Sequence, residues 1–328
     1  MLYDNHGRPL TYLRLAITDR CNLRCFYCMP QSGIKYLPKQ ELLTFEEIER
    51  LVTMLAQMGI SKIRLTGGEP FLRTDILELI RKIKNIPGIH EVHLTTNGVL
   101  TAKYIPELKD LISSINLSLD TLDRDRFLKI TFRDEFENAM RTFDTTLEHG
   151  IPLKINAVVM EGKNIEDIIP LVELARNRQV SVRFIEEMPF NGEGGHYPQL
   201  NWTHKKIVEH ILQHYPALYK ISDPQHSTAY HYAIPGFTGN IGVIAAFSRT
   251  FCGTCNRIRI TSQGMLKTCL YDDGVLNIRN LMRQGLSNNE IKASLLTAFS
   301  SRPKDGVEAE QKRRGRTSAS ESMSTIGG

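Results

Sequence analysis

Cys21-Asn-Leu-Arg-Cys25-Phe-Tyr-Cys28 follows directly on residues 13–17, a short apolar run that reads as a first strand. Its thiols therefore sit in a loop at that strand's C-terminal end, the face where α/β folds place their chemistry. Five more apolar runs of strand length follow, at 63–66, 92–95, 115–119, 153–159 and 180–185. They carry little charge, as strands covered on both faces should. Helical patterns lie between them at 44–58, 75–83, 135–148 and 166–177. Thr44 with Glu47 three residues on forms a capping box, and Gly59 and Gly150 close two of the helices. Six βα units in a row predict a parallel sheet with right-handed crossovers. Six strands fall short of the eight in a closed barrel, so periodicity leaves two solutions: an open, incomplete barrel or a doubly wound sheet.

The texture changes after Pro189. A glycine-rich loop at 191–195 opens a smaller α+β region. Helices are expected at 202–215, 280–284 and 290–299, and strands at 230–234, 243–247, 257–261 and 265–270. Residues 302–328 are polar, basic and poor in large apolar side chains, a composition that predicts a disordered tail.

The 328 residues are 41% hydrophobic, enough for a large core. A net charge of +5 is weak for a nucleic-acid coat and suits an anionic small molecule at least as well. Residues 1–10 lack an apolar targeting segment. The longest stretch free of charge, near 233–248, is broken by Pro235 and several glycines, so no membrane span is expected. The expected location is the cytoplasm.

All six cysteines fall in two groups of three, far apart in sequence. In a reducing compartment such clusters point to metal rather than disulfides. Three thiolates can bind three irons of a cubane and leave the fourth open, whereas structural zinc and electron-transfer clusters want four ligands. The alternative for Cys21, Cys25 and Cys28 is zinc completed by a histidine such as His90 or His93. Thr66-Gly67-Gly68-Glu69-Pro70 ends the second strand, where glycines let backbone approach a ligand; an ordinary βα turn is the alternative. Cys252-Gly-Thr-Cys255, with Cys269 further on, repeats the set of three. It is either zinc with a borrowed ligand or a second cluster with an open iron. Arg257 and Arg259 lie on one face of a strand, and two guanidiniums there suit a polyphosphate. Arg14, Arg64, Lys154 and Arg183, also on strands, extend that set.

The C-x3-C-x2-C spacing, with Tyr27 before the last cysteine, resembles the signature of the radical S-adenosylmethionine enzymes. Within them, nearly the full chain resembles the GTP 3′,8-cyclases, the molybdenum cofactor biosynthesis protein A family. The likeness runs through Leu13-Arg14, Asp19-Arg20-Cys21-Asn22, Arg64-Leu-Thr-Gly-Gly68-Glu-Pro and Thr95-Thr-Asn-Gly98. It continues in Asn116-Leu-Ser118-Leu-Asp120, Lys154-Ile-Asn156, Arg183-Phe-Ile-Glu-Glu-Met188-Pro, Cys252-Gly-Thr-Cys255-Asn-Arg257-Ile-Arg259 and the terminal Gly327-Gly328. One stretch departs from the family: residues 302–320 carry Lys312-Arg313-Arg314-Gly-Arg316 instead of its usual run.

The resemblance implies an incomplete (βα)6 barrel of the triosephosphate-isomerase type over residues 1–190, holding a first [4Fe–4S] cluster. Residues 191–300 would close its open side and carry a second [4Fe–4S] cluster on Cys252, Cys255 and Cys269, and 301–328 would thread the glycines inward. Tyr27, Gly67, Gly68, Glu69, Ser118 and Met188 would line the S-adenosylmethionine site. GTP would be held by Arg14, Arg64, Thr95, Lys154 and Arg183, together with Arg257, Ile258 and Arg259, its guanine on the second cluster's open iron. Arg257, Arg259, Gly327 and Gly328 would serve catalysis. The implied reaction is hydrogen abstraction from C3′ of GTP and attack on C8, giving (8S)-3′,8-cyclo-7,8-dihydroguanosine 5′-triphosphate. Implied partners are an electron donor and cyclic pyranopterin monophosphate synthase, which would receive the product. No nucleic acid or membrane is implied, and a homodimer is left open. Two rival functions stand beside it: a twin-cluster peptide maturase and a zinc-stabilised nucleic-acid-binding protein.

Overall fold

The six apolar runs form strands β1 Tyr12–Ala16, β2 Lys62–Thr66, β3 Glu91–Thr96, β4 Ser114–Ser118, β5 Leu153–Val159 and β6 Val180–Glu186. The computed structural model describes residues 2–190, 200–313 and 321–327; the loop at 191–195, Arg314, Arg316 and Gly328 lie outside the described residues. Helices α1 Phe45–Met58, α2 Ile76–Lys84, α3 Ile105–Leu108, α4 Arg124–Thr131, α5 Phe136–Glu148 and α6 Ile168–Glu173 fall between the strands. Each strand pairs in parallel with the next in sequence. Alternation sorts their side chains: on β5, Leu153, Ile155 and Ala157 enter the core, while Lys154 and Asn156 take the other face.

The later chain adds α7 His204–His214, β7 Tyr219–Lys220, β8 Ala229–Ala233, β9 Asn240–Ile244, β10 Arg257–Ile260, β11 Met265–Lys267 and β12 Leu276–Asn277. These strands join the same sheet, in the order β12-β11-β10-β1-β2-β3-β4-β5-β6-β9-β8-β7. β10 pairs in parallel with β1 and β9 in parallel with β6. The six-stranded run is thus extended at both edges, and among the described residues its ends do not pair, so the barrel stays open. Loops, not strands, meet across the gap: His226 Nδ1 lies 2.9 Å from the Thr254 carbonyl oxygen.

Several boundaries differ from those expected. α3 and α4 were not anticipated from the pattern. α6 is short, entered through a 3₁₀ turn at Ile165–Asp167. β9 begins at Asn240 because pairing with β6, not apolar content, sets its limits. β11 stops at Lys267 because the Asp272 carboxylate accepts from the N–H groups of Thr268 and Cys269 and turns the chain there.

The chain ends with α8 Ile278–Arg283, α9 Asn288–Phe299, α10 Gly306–Gln311 and α11 Met323–Ile326. The disorder expected from composition is overturned for residues 321–327. Ile326 packs with Phe190, Tyr271 and Ala309 in a small core of its own, and Ser322, Ser324 and Gly327 are buried.

The capping box of α1 is present: Thr44 Oγ1 accepts from Glu47 N, and Glu47 Oε2 accepts from Thr44 N at 2.8 Å. Thr44→Ala is expected to cost about 1 kcal/mol. Urea denaturation measures that cost, and iron content should not change, since Thr44 caps α1 and supplies no cluster ligand.

Candidate functional site

The first triad stands on three interlocked loops. Gly68 N donates to Thr18 O and Glu69 N to Arg20 O, at 2.9 and 2.7 Å. A Cβ on Gly68 would lie 2.1 Å from Arg20 O, and one on Gly67, where φ is +151°, would lie 2.4 Å from Thr18 O. The glycine pair is what lets the end of β2 lie against the cysteine loop. Glu69 turns inward: its carboxylate accepts from Thr96 Oγ1, Asn97 N and Phe71 N. Burial lifts its pKa to about 7. Asn97 in turn donates to Asn22 Oδ1 at 2.8 Å and lies 3.7 Å from Cys21 Sγ. Tyr27 donates its hydroxyl to Asp120 Oδ2 at 2.8 Å, while Asp120 Oδ1 accepts from Val158 N. Ser118 sits half-buried at the end of β4, beside Asn156 of β5.

The six cysteines are free thiols. Burial, and then the neighbouring Glu69, pushes Cys21 up to about 11; burial and Cys21 push Cys28 up to about 12. Buried thiolates raise one another's pKa in this way unless a cation joins them, so the donor set fits an iron cluster that needs thiolates. Among the described residues no three His, Cys, Asp or Glu side chains converge on the spacing of a single metal ion. A cubane instead takes its cysteines at separate corners. His93 is engaged elsewhere, with Ser114 Oγ and Glu91 Oε2 at 2.7 Å each.

The second triad opens into a cavity of about 360 Å³. Cys252, Cys255 and Cys269 line it together with Met188 and Met323. So do Arg14, Arg64, Lys154, Arg183, Arg257 and Arg259. Strand register explains the gathering. Arg259 lies beside Arg14 and Arg14 beside Arg64 across β10, β1 and β2. Lys154 lies beside Asn116, and Asn156 beside Arg183. The only acidic side chain in the lining is Asp305, among the described residues. Burial, followed by the charge of Arg259, holds Arg14 well below the usual guanidinium range. Burial and then Arg183 and Arg64 lower Lys154 to about 7. Burial raises the Cys255 thiol, but Arg257 and Arg302 outweigh it and bring Cys255 to about 6. Arg257 Nε and Nη2, Asn116 Oδ1 and Asn156 Oδ1 are buried without a hydrogen-bond partner among the described residues. Polar atoms left this way in a cavity are costly unless a ligand engages them.

The tail reaches both triads. Ser322 Oγ donates to the Cys28 carbonyl oxygen at 2.6 Å, and Arg259 Nη1 donates to the Gly327 carbonyl oxygen at 2.6 Å. Gly327 has φ +77°, and a Cβ there would lie 2.7 Å from Thr66 Oγ1. Gly328 lies outside the described residues.

Not every expected residue joins the cavity. Ile258 alternates to the opposite face and is fully buried. Thr95 is not part of the lining, although its Oγ1 is buried. Tyr12 was missed: it lines the cavity and its hydroxyl accepts from Arg64 Nε at 2.6 Å. The period-two rule applied from Arg14 would have found it. Asn97 was quoted in a motif but given no role.

Three thiols at the C-terminal end of the first strand of an open parallel βα sheet define the radical S-adenosylmethionine class. Residues 15–175 match the family model of the Radical SAM superfamily, and residues 180–307 that of Molybdenum Cofactor Synthesis C. A solved structure, Streptococcus suis SuiB bound to S-adenosylmethionine, shares the fold at TM-score 0.60 and 16% identity, over 90% of this chain and 66% of that one. The GTP 3′,8-cyclase of Clostridium perfringens is 39% identical over 305 residues, covering 92% of this chain and 93% of that protein. The mitochondrial GTP 3′,8-cyclase of Arabidopsis thaliana is 38% identical, over 89% of this chain and 75% of that protein. Molybdenum cofactor biosynthesis protein 1 of Drosophila melanogaster is 42% identical over 92% of this chain, which spans only 54% of it. The chain spans about half the length of such animal relatives. It belongs to the GTP 3′,8-cyclase family of molybdenum cofactor biosynthesis.

Gly68→Ala is expected to separate the β2 loop from the cysteine loop. Iron and sulfide analysis after anaerobic reconstitution should show loss of the first cluster with the second retained.

Proposed function

We propose that this chain converts GTP to (8S)-3′,8-cyclo-7,8-dihydroguanosine 5′-triphosphate by a radical reaction begun from S-adenosylmethionine. The observation that carries the reading is the row Arg259, Arg14 and Arg64 in one cavity with Cys252, Cys255 and Cys269. Cations gathered in a cavity whose described lining holds a single acidic side chain, Asp305, suit a polyanion, and forked guanidiniums suit a triphosphate. Cys21, Cys25 and Cys28 would hold the first [4Fe–4S] cluster, and the second triad another, with its open iron toward the guanine. The first cluster and S-adenosylmethionine would supply a 5′-deoxyadenosyl radical that takes hydrogen from C3′ of the ribose and leaves as 5′-deoxyadenosine; C3′ would then bond to C8, and one electron from the electron donor with one proton would complete the 7,8-dihydro product.

The chain's own residues bind, orient and exclude water. Arg14, Arg64, Lys154, Arg183, Arg257 and Arg259 would fix the nucleotide, which places its ribose for the transfer. Tyr12 fixes the plane of Arg64. Asp120 fixes Tyr27 at the S-adenosylmethionine side. The tail, anchored on Cys28 and Arg259, would bring Gly327 between the two sites and limit access by water.

The rivals fit less well. A peptide maturase has no use for a buried row of arginines. A nucleic-acid binder needs its cations on the surface, whereas Arg64 is buried and Arg14 and Arg259 line the interior cavity. Among the described residues no helix is long and apolar enough to cross a membrane. We take the reducing compartment that clustered thiols need to be the cytoplasm, with an electron donor and cyclic pyranopterin monophosphate synthase as partners.

Anaerobic incubation with GTP, S-adenosylmethionine and dithionite tests the reading. GTP-dependent 5′-deoxyadenosine is expected; its formation only with a peptide overturns the proposal. Arg257→Ala and Arg259→Ala should weaken GTP binding by about tenfold or more, as loss of a charge-assisted fork does, with iron content unchanged. A drop in iron would make these arginines structural.

Lys154 gives a pH dependence. With its pKa lowered to about 7 in the free protein, it is charged below neutrality and neutral above. Phosphate favours the charged form, so binding above pH 7 must take up a proton. GTP affinity should therefore fall by up to about tenfold per pH unit above 7.5, where the γ-phosphate is already ionised. Lys154→Arg, charged throughout, should flatten the slope in calorimetric titrations.

A further inference from the structure

Arg302, between α9 and α10, is 3% exposed, and its guanidinium is fully used. Nε donates to Thr268 O at 2.9 Å, next to Cys269. Nη1 donates to Cys255 O at 2.9 Å and to Asp4 Oδ2 at 3.0 Å. Nη2 donates to Arg257 O at 2.7 Å and to Cys255 Sγ at 3.2 Å. One planar group thus ties the Cys255 loop, the segment before Cys269 and the start of β10. Arg8 completes the brace: it donates to Cys252 O, to Pro303 O and to Lys304 O, and it pairs with Asp4 at 2.7 Å.

Charge adds a second argument. Asp4, buried, faces both Arg8 and Arg302. One carboxylate against two guanidiniums leaves a positive charge beside the Cys255 sulfur. A buried charge of this kind is costly unless an anion offsets it. The sulfur it touches is the one that a metal cluster would hold as thiolate. Hydrogen bonds to such sulfurs and local charge are what set a cluster's reduction potential.

We infer that Arg302 is a positioning residue for the second cysteine triad: it fixes the Cys255 and Cys269 segments in register with β10 and, through its hydrogen bond to Cys255 Sγ, raises the potential of the cluster held there. This rests on the reading that the triad holds a [4Fe–4S] cluster. Arg302 borders the substrate cavity, but its donors are spent on protein atoms rather than offered to a ligand.

The test uses full-length protein reconstituted anaerobically. Arg302→Gln removes charge and fork, and iron should fall from about eight to about four per chain as the second of two four-iron clusters is lost. Arg302→Lys keeps the charge but cannot make the five contacts. It should retain part of the second cluster, with a midpoint potential in electron paramagnetic resonance titration more negative than that of the wild type, and leave the first cluster's potential unchanged. Both variants holding about eight irons with an unshifted second potential overturns the inference. A third readout needs no change at Arg302. In a chain with Cys21, Cys25 and Cys28 replaced by Ala, nitrogen-15-labelled arginine should couple to the reduced second cluster. No coupling to any arginine nitrogen overturns the inference. Wild-type protein that takes up only about four irons overturns the two-cluster reading itself, a result that does not depend on Arg302.

Discussion

β10 runs parallel to β1, and the whole cavity depends on that pairing. It sets Arg259 beside Arg14, and β2 then sets Arg64 beside Arg14. It also fixes where Cys255 enters the sheet, two residues before Arg257. The like charges in this row repel one another in a buried setting, and strand hydrogen bonds hold them in place. The fold thus spends packing energy to keep cations close together, which makes sense only where an anion joins them.

The two triads are held by different means. Around Cys21, Cys25 and Cys28 the support is backbone fit: glycines without side chains, a carboxylate turned inward at Glu69, and Asn97 bridging to the loop. Around Cys252, Cys255 and Cys269 the support is a charged brace of Arg8, Asp4 and Arg302, with Asp272 turning the chain at Cys269. The tail links the two, since Ser322 touches the first loop and Gly327 the arginine row.

Much of this was legible in the sequence because it is written in local chemistry. Cysteine spacing, the glycine pair and the Arg-x-Arg alternation each constrain structure within a few residues. The six core strands followed from their apolar runs. What could not be read was pairing at a distance. Tyr12 meets Arg257 across most of the chain, and no pattern at either end announces it. Arg302 was invisible for the same reason, since its five contacts lie in three distant segments. Residues 321–327 look disordered by composition, because short polar side chains carry no hydrophobic signal. Their order comes from specific bonds to Cys28 and Arg259. Thr95 and Ile258 belong to recognisable motifs, yet neither side chain lines the cavity.

The partner of β1 is made long after β1 itself. Until residues 257–260 emerge, β1 presents an unpaired edge, and the cysteine loop that follows it lacks the tail that will lie against Cys28. Parallel pairing across such a separation is slow, and an open edge invites pairing with other chains. The growing polypeptide therefore passes through a long interval with its first three thiols assembled on an unfinished sheet. Truncation anywhere before β10 should leave chains that aggregate through β1 rather than a smaller working enzyme.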